Sequence, residues 1–447
     1  MSKKVILFTF FASLLALTAT SKEKKNSLAY DPSQGYYKDV FMDSGLALTS
    51  KRVLPVCNAL NLSMEYFATA STKKNAKYLA NEVDTLLQRM IMVGNPLDYN
   101  GVLLYPDGAP RFRMIYVNGG ESNAHGRSLK KAGLDIIRKF VHNGGSYVGS
   151  CAGAFFSSSY LYYKDSLIKR ENYLGIWPGC TRRTNLKKAY ETIAIEKNSP
   201  LLSYGLSNCG MKVDSVRHNS GCYADEEHMW PDGTEVLARF SIPKSHPRHD
   251  LDGKVVIWAY KAKNSTGRVI PCGSHPESII TGDRLDLMAS MFLYALEGNA
   301  EPTIKGELVP EQKREMKCRT KDKNPLYTRI GDKQYHHFTV TVPKKCEKLE
   351  ILLGEYQGWQ DFNIYLFASK KGFAFSDVAQ YRNVHSGVAK KLVINHPKEG
   401  TYYISVFCAT TVDTIETKYG TMYTGRVDVL NGVPYTISSN LVIKKKE

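Results

Sequence analysis

No segment after Leu17 is long and apolar enough to cross a bilayer, no arginine-rich run or nucleic-acid module appears, and the histidines fall into no familiar metal-ligand spacing. These absences argue in turn against a chain threaded through a membrane, against a chain built to grip nucleic acid, and against a metal centre at His218, His228, His246 and His249. What is present is an ordinary globular composition. The 447 residues are 43% hydrophobic and 11% aromatic, enough for two or three domains with real cores. The formal charge is +17, but the 60 Lys and Arg are dispersed. That pattern reads as a solvated basic surface, with adhesion to anionic cell surfaces or polysaccharide as the functional alternative.

The N-terminus carries the marks of an export signal: Lys3-Lys4, an apolar run from Val5 to Leu17, and small residues at Leu17-Thr-Ala19. A spanning helix needs about twenty apolar residues, so this run is too short for an anchor. Residues 1–21 are therefore expected to be a signal peptide, and the mature chain to be secreted or to lie in the lumen of the secretory pathway. Cysteine usage suits that compartment. With Cys151 set aside as a free thiol, Cys57, Cys180, Cys209, Cys222, Cys272, Cys318, Cys346 and Cys408 are left to pair, with too many connectivities for the sequence to choose among. Asn61-Leu-Ser63 and Asn264-Ser-Thr266 are glycosylation sequons.

The stretch Gly144-Gly-Ser-Tyr-Val-Gly-Ser-Cys-Ala-Gly-Ala154 reads as helix stop, short strand and a cysteine on a sharp turn into another helix. Before it, Leu129, Ala132, Ile136, Ile137, Phe140 and Val141 recur at helical spacing, and Asn143-Gly144-Gly145 tolerates the left-handed backbone that ends such helices. Small residues on both sides of Cys151 suit a nucleophile elbow, where strand and helix come too close for large side chains. A thiol there faces a helix N-terminus, whose partial positive charge favours the thiolate. A lone cysteine among small residues is also what a small buried hydrophobe looks like. A second stretch, Gly273-Ser-His-Pro-Glu277, supplies an imidazole and a carboxylate two residues apart after the strand-like Arg268-Val-Ile-Pro271. Positions i and i+2 of an extended segment face one side, so His275 can serve Cys151 as base while Glu277 accepts the ring's other N–H.

Gly149-Ser-Cys-Ala-Gly-Ala154 together with His275-Pro-Glu277 resembles the class I glutamine amidotransferase superfamily, whose triad is Cys-His-Glu. Val117-Asn-Gly-Gly120, the cysteine turn and Gly267 to Glu277 most resemble the amidotransferase-like domain at the N-terminus of fungal biotin-protein ligases and in secreted relatives. The likeness covers roughly residues 40 to 300. It implies an α/β fold, a flavodoxin-like parallel sheet flanked by helices, and a catalytic triad of Cys151, His275 and Glu277. It also implies an oxyanion hole at Gly120 and Ala152; Gly119, Glu121 and Ser122, by their place in that loop, are candidate substrate contacts. Asn123 and His125 follow in the same loop. Such a mechanism needs no metal or other cofactor, and no ligase catalytic domain follows, so biotin ligation is not implied.

The remaining segments frame that domain. Lys22 to Lys38 is a polar linker, Gly45 to Ser50 a loop, Arg52 to Leu60 a helix, and Ala76 to Met92 another. Tyr99 to Leu104, Met114 to Val117, Met211 to Val213, Glu235 to Phe240 and Val255 to Tyr260 are strand candidates. Alternation with helices argues for a parallel sheet covered on both faces. Leu285 to Leu296 is a closing helix with Gly298 as its stop. Residues 301–325, charged and Pro-containing, read as a linker. From Leu326 short alternating runs at 335–342, 349–353, 363–367, 391–394, 400–407 and 435–437 indicate an all-β sandwich over 326–447. Asp361 to Leu366 and Pro397 to Ile404 resemble the pre-peptidase C-terminal type of secreted domain. The expected partners are a small-molecule or peptide amide substrate, and cell-surface or carbohydrate contact through the C-terminal domain. The leading expectation is a cysteine hydrolase of amide bonds; the alternatives are a non-catalytic binding module or an adhesin.

Overall fold

A computed structural model describes residues 31–43, 50–67, 100–206, 211–279, 281–417 and 420–444. The helix expected at Ala76 to Met92, the loop at 45–49, Cys209 and the export signal lie outside the described residues.

Five strands run parallel: Lys38–Asp43 (β1), Met64–Phe67 (β2), Phe112–Val117 (β3), Ser146–Ser150 (β4) and Val269–Cys272 (β5). They lie in the order β2-β1-β3-β4-β5, with Val117 opposite Gly149 and Cys272 opposite Ser150. All six residues of β3 and all five of β4 are buried, as central strands covered on both faces must be. The rest of the sheet departs from the expected parallel pattern. Beyond β5, Val255–Tyr260 and the strands between residues 158 and 241 extend it to thirteen, mostly in antiparallel pairs. Only short connections join several of these strands, and a short connection permits hairpins but not parallel crossovers.

Among the described residues, helical segments accompany the sheet at Leu54–Ala59 (α1), Ser122–His142 (α2, kinked at Lys130 with φ 55° and ψ −177°), Ala152–Ser157 (α3) and Asp283–Glu297 (α4). On α4, Leu287, Met288, Met291, Phe292, Ala295 and Leu296 are buried in one cluster with Met114, Tyr116 and Val148 of the sheet. Each of the larger side chains contributes about 1.5–3 kcal/mol by leaving water. Gly144 has φ 110°, the left-handed stop expected after α2. Gly298 ends α4 for another reason: its φ is −78°, and a Cβ there would come within 2.3 Å of the Arg268 Cβ. Residues 100–104 form turns and a single bridge to Pro110 in place of the expected strand.

The segment read as a linker is structured. Ile304–Glu307 joins Tyr335–Val342, Gly400–Cys408, Ile364–Ser369 and Tyr381–Asn383 in a five-stranded sheet. Arg314–Met316 joins Tyr435–Ile443, Cys346–Gly354 and Lys390–Asn395 in a four-stranded one. Their partners are distant in sequence, so local composition could not announce them. The two halves of the chain share a core cluster, and a buried ion pair crosses between them. The Arg111 guanidinium donates to both oxygens of Asp332, each at 2.9 Å, and to the Tyr423 hydroxyl, while Tyr423 donates to Glu65. Among the eight described cysteines none is in a disulfide. Seven are buried, most of them inside apolar clusters, the placement of small hydrophobes.

Candidate active site

The carboxyl ends of β3, β4 and β5 meet at one rim of the sheet. Cys151 follows β4 directly, with φ 50° and ψ −101°, a conformation that costs a non-glycine residue roughly 1–3 kcal/mol. The neighbours explain how it is enforced. The Cys151 amide donates to the Cys272 carbonyl at 2.7 Å. A Cβ at Gly149 would fall 2.6 Å from the Gly153 carbonyl carbon, and one at Gly153 would fall 2.2 Å from the Val117 oxygen. Strand and helix touch backbone to backbone, and no larger residue fits.

His275 reaches the same place from the end of β5. Its amide donates to the Arg217 carbonyl at 2.8 Å, its Nδ1 lies 2.8 Å from Glu277 Oε1, and its ring is near enough to Cys151 for the two to interact electrostatically. Glu277 is 3% exposed, so its charge is barely screened. Burial disfavours a charged imidazole, yet the Glu277 carboxylate and the interaction with Cys151 outweigh it and raise the His275 pKa from 6.5 to about 10. The triad atoms therefore favour an imidazolium next to the sulfur. In the loop after β3, a Cβ at Gly119 would fall 2.3 Å from His275 Cε1, so only glycine lets the ring lie there. Gly120 has φ 150°, again a backbone for glycine. Ala152, the first residue of α3, is buried beside Cys151.

The other candidates in the loop have structural work. Glu121 caps α2, accepting from the Asn123 amide at 2.9 Å, and pairs with Arg127 at 3.3 Å. The Ser122 hydroxyl is buried at 2.8 Å from the Tyr173 hydroxyl, Asn123 accepts from Arg170, and His125 is buried beside Phe156. Sequence reasoning missed the segment from Arg217 to Gly221. The Asn219 carbonyl is 3.8 Å from Cys151 Sγ, and a Cβ on Gly221 would fall 1.8 Å from the Gly273 oxygen and 3.9 Å from that sulfur. The small residues of Asn219-Ser-Gly221 between two strands were the available signal. The four histidines weighed for metal form no common ligand group among the described residues. His228 alone joins a group, with Asp225 and Glu227 offering ligand atoms within 4.8 Å of one another. Lys254 at 2.9 Å and Arg182 at 3.6 Å already engage Glu227, which leaves little negative charge for a cation.

Comparison with known proteins places this geometry in context. The family model described as "Biotin-protein ligase, N terminal" matches residues 66–291. An uncharacterized protein of Chlamydia muridarum (strain MoPn / Nigg) is 26% identical over 133 residues, 29% of this chain and 50% of that protein. The chain thus spans about half the length of that curated relative. Among solved structures, the pre-peptidase C-terminal domain of a Bacillus anthracis collagenase is 12% identical, with TM-score 0.19, covering 31% of this chain and 99% of its own. PliG of Aeromonas hydrophila, a periplasmic inhibitor of g-type lysozyme, is 17% identical with TM-score 0.16, covering 24% of this chain and 76% of its own.

Proposed function

This chain belongs to the biotin-protein ligase N-terminal family, and from that premise we propose that it is a cysteine hydrolase of amide bonds, γ-glutamyl or peptide-like. One observation carries the reading: Cys151 sits on a strained elbow against an imidazole whose other nitrogen is held at 2.8 Å by the buried carboxylate of Glu277. The Cys151 sulfur attacks the carbonyl carbon. Amides from Gly120 and Ala152 take the oxyanion, an arrangement that contributes about 3 kcal/mol per donor in known sites. The His275 imidazolium passes its proton to the departing amine, then accepts one from the water that cleaves the thioester. Glu277 orients the ring.

The strand order β2-β1-β3-β4-β5 supports a flavodoxin-like core and membership of the amidotransferase-like superfamily. The two C-terminal sheets, joined by one core, support a β-sandwich of the pre-peptidase type. The apolar N-terminal run supports secretion as part of this reading. The test is covalent labelling with iodoacetamide and an electrophilic glutamine analogue, followed by a screen of γ-glutamyl compounds and short peptides. Selective modification of Cys151 that falls at least tenfold in His275→Ala supports the hydrolase. A Cys151 no more reactive than a denatured-state thiol refutes it and leaves a non-catalytic binding protein.

A further inference from the structure

Away from the triad, a cleft of about 280 Å³ opens where the N-terminal segment crosses the C-terminal five-stranded sheet. Strand polarity puts it at the other rim. Lys38 and Asp39 begin β1, level with Phe112 at the start of β3, whereas the glycine loop of the triad follows Val117 at the far end. The walls combine aromatic rings with polar groups that converge: Tyr36, Tyr335, Phe407, Gln34, Ser376 and Lys333. Phe407 is half-buried and stacks on Tyr335 with ring centroids 4.5 Å apart, a rigid apolar floor.

The polar side is preorganised. Gln34 Oε1 accepts from the Tyr335 hydroxyl at 3.0 Å and from the Ser376 hydroxyl at 2.8 Å, which fixes the amide and leaves its Nε2 donors without a partner among the described residues. Asp39 at the cleft edge is held by Ser63 at 2.7 Å and neutralised by Arg113 at 2.9 Å. The Lys333 ammonium, on an exposed residue at the cleft, has no hydrogen bond or ion pair among the described residues. Lys38, the other lining cation, is paired with Glu65 at 3.4 Å, which leaves Lys333 as the uncompensated charge among the lining residues. An aromatic floor, an oriented amide donor, hydroxyls and one uncommitted cation match a flat ring with an apolar face, several hydroxyls and a negative substituent.

We propose that this cleft is a binding site for an acidic sugar, a uronate unit of a glycan, with its ring on Phe407 and its carboxylate at Lys333. The volume accommodates one or two sugar rings, so the site reads a unit and not a long chain. It is independent of the triad and stands whether or not Cys151 is catalytic.

The experiment is calorimetric titration of the full chain with a glucuronate-containing disaccharide, with the same disaccharide reduced at its carboxyl group, and with sodium acetate. Saturable one-to-one binding of the first, at least tenfold weaker binding of the second and no competition by acetate at equal concentration are expected. Lys333→Ala should weaken the acidic disaccharide at least tenfold while leaving iodoacetamide labelling of Cys151 unchanged, and Phe407→Ala should weaken it similarly. Lys333 is exposed, so its variant decides the matter even where Phe407→Ala disturbs folding. No saturable binding, equal binding of the reduced disaccharide, wild-type affinity in Lys333→Ala, or a changed labelling rate would each overturn the proposal.

Discussion

Replacing Gly119 by alanine tests the triad through a residue that carries no chemistry of its own. The new methyl carbon would fall 2.3 Å from His275 Cε1, 3.1 Å from Nδ1 and 3.3 Å from Nε2. Ordinary contact needs about 3.5–4.0 Å, so the ring must retreat by roughly 1 Å or the glycine loop must. The His275 Nδ1 to Glu277 bond of 2.8 Å does not survive a shift of that size in line with it. Overpacking costs about 1–3 kcal/mol, and a misplacement of about 1 Å at a reacting group costs on the order of a hundredfold in rate. Thermal or chemical denaturation should therefore show the stability loss, and iodoacetamide kinetics a large fall in Cys151 reactivity. The decisive measurement is the double variant Gly119→Ala/His275→Ala. With the ring gone the methyl has room, so the stability cost of Gly119→Ala should largely vanish in that background, and reactivity should drop no further than in His275→Ala alone. If the two substitutions are simply additive in stability, Gly119 does not face the imidazole and the site geometry is wrong.

Asp332→Asn leaves the buried Arg111 guanidinium without its counter-charge, and unfolding in urea should report a loss of about 3–5 kcal/mol, shared by both halves of the chain because the pair crosses between them. The His275 value raised from 6.5 to about 10 means that the folded chain holds this proton more tightly than the unfolded one; the stabilisation is fully present below pH 6.5 and is lost as pH rises through about 10. NMR titration of the imidazole should follow that window, and Glu277→Gln should move it downward; an unshifted titration in the variant would rule out Glu277 as the main favourable partner. Burial pushes the thiols of Cys57, Cys180 and Cys272 up to about 12, so native labelling at pH 8 should modify Cys151 and leave these three untouched until denaturant is added. Rapid native modification of Cys272 would show that the rim is open and β5 loosely packed.

Much of the local structure was legible because it is set by neighbours in sequence. The strand Ser146–Ser150 and the turn at Cys151 follow from runs of small residues and are found within a residue of their expected places, while the helix before Gly144, expected from the periodicity of Leu129 to Val141, ends at His142 as expected but begins at Ser122 and is kinked at Lys130. The C-terminal strands were legible from alternation alone, 335–342 and 400–408 almost to the residue. The linker failed because Ile304–Glu307 and Arg314–Met316 are short, polar strands whose order comes from partners such as His337 and Ile437 far along the chain. Glu121 and Ser122 follow the glycine loop, and nothing in the sequence revealed the helix cap and the Tyr173 hydroxyl that engage them.

By itself the sequence determined which residues are chemically able to act, since a thiol flanked by Gly and Ala, and a His two residues before a Glu, are properties of short segments. Only the tertiary structure decided that these groups meet, that Gly119 and Gly221 stand where a side chain would obstruct them, and that the two halves of the chain are joined through Arg111 and Asp332. The physical reason is range. Backbone preference and periodicity act over a few residues, whereas the register that sets Cys272 against Ser150 and draws Asn219 to the sulfur is fixed by packing between segments tens to hundreds of residues apart.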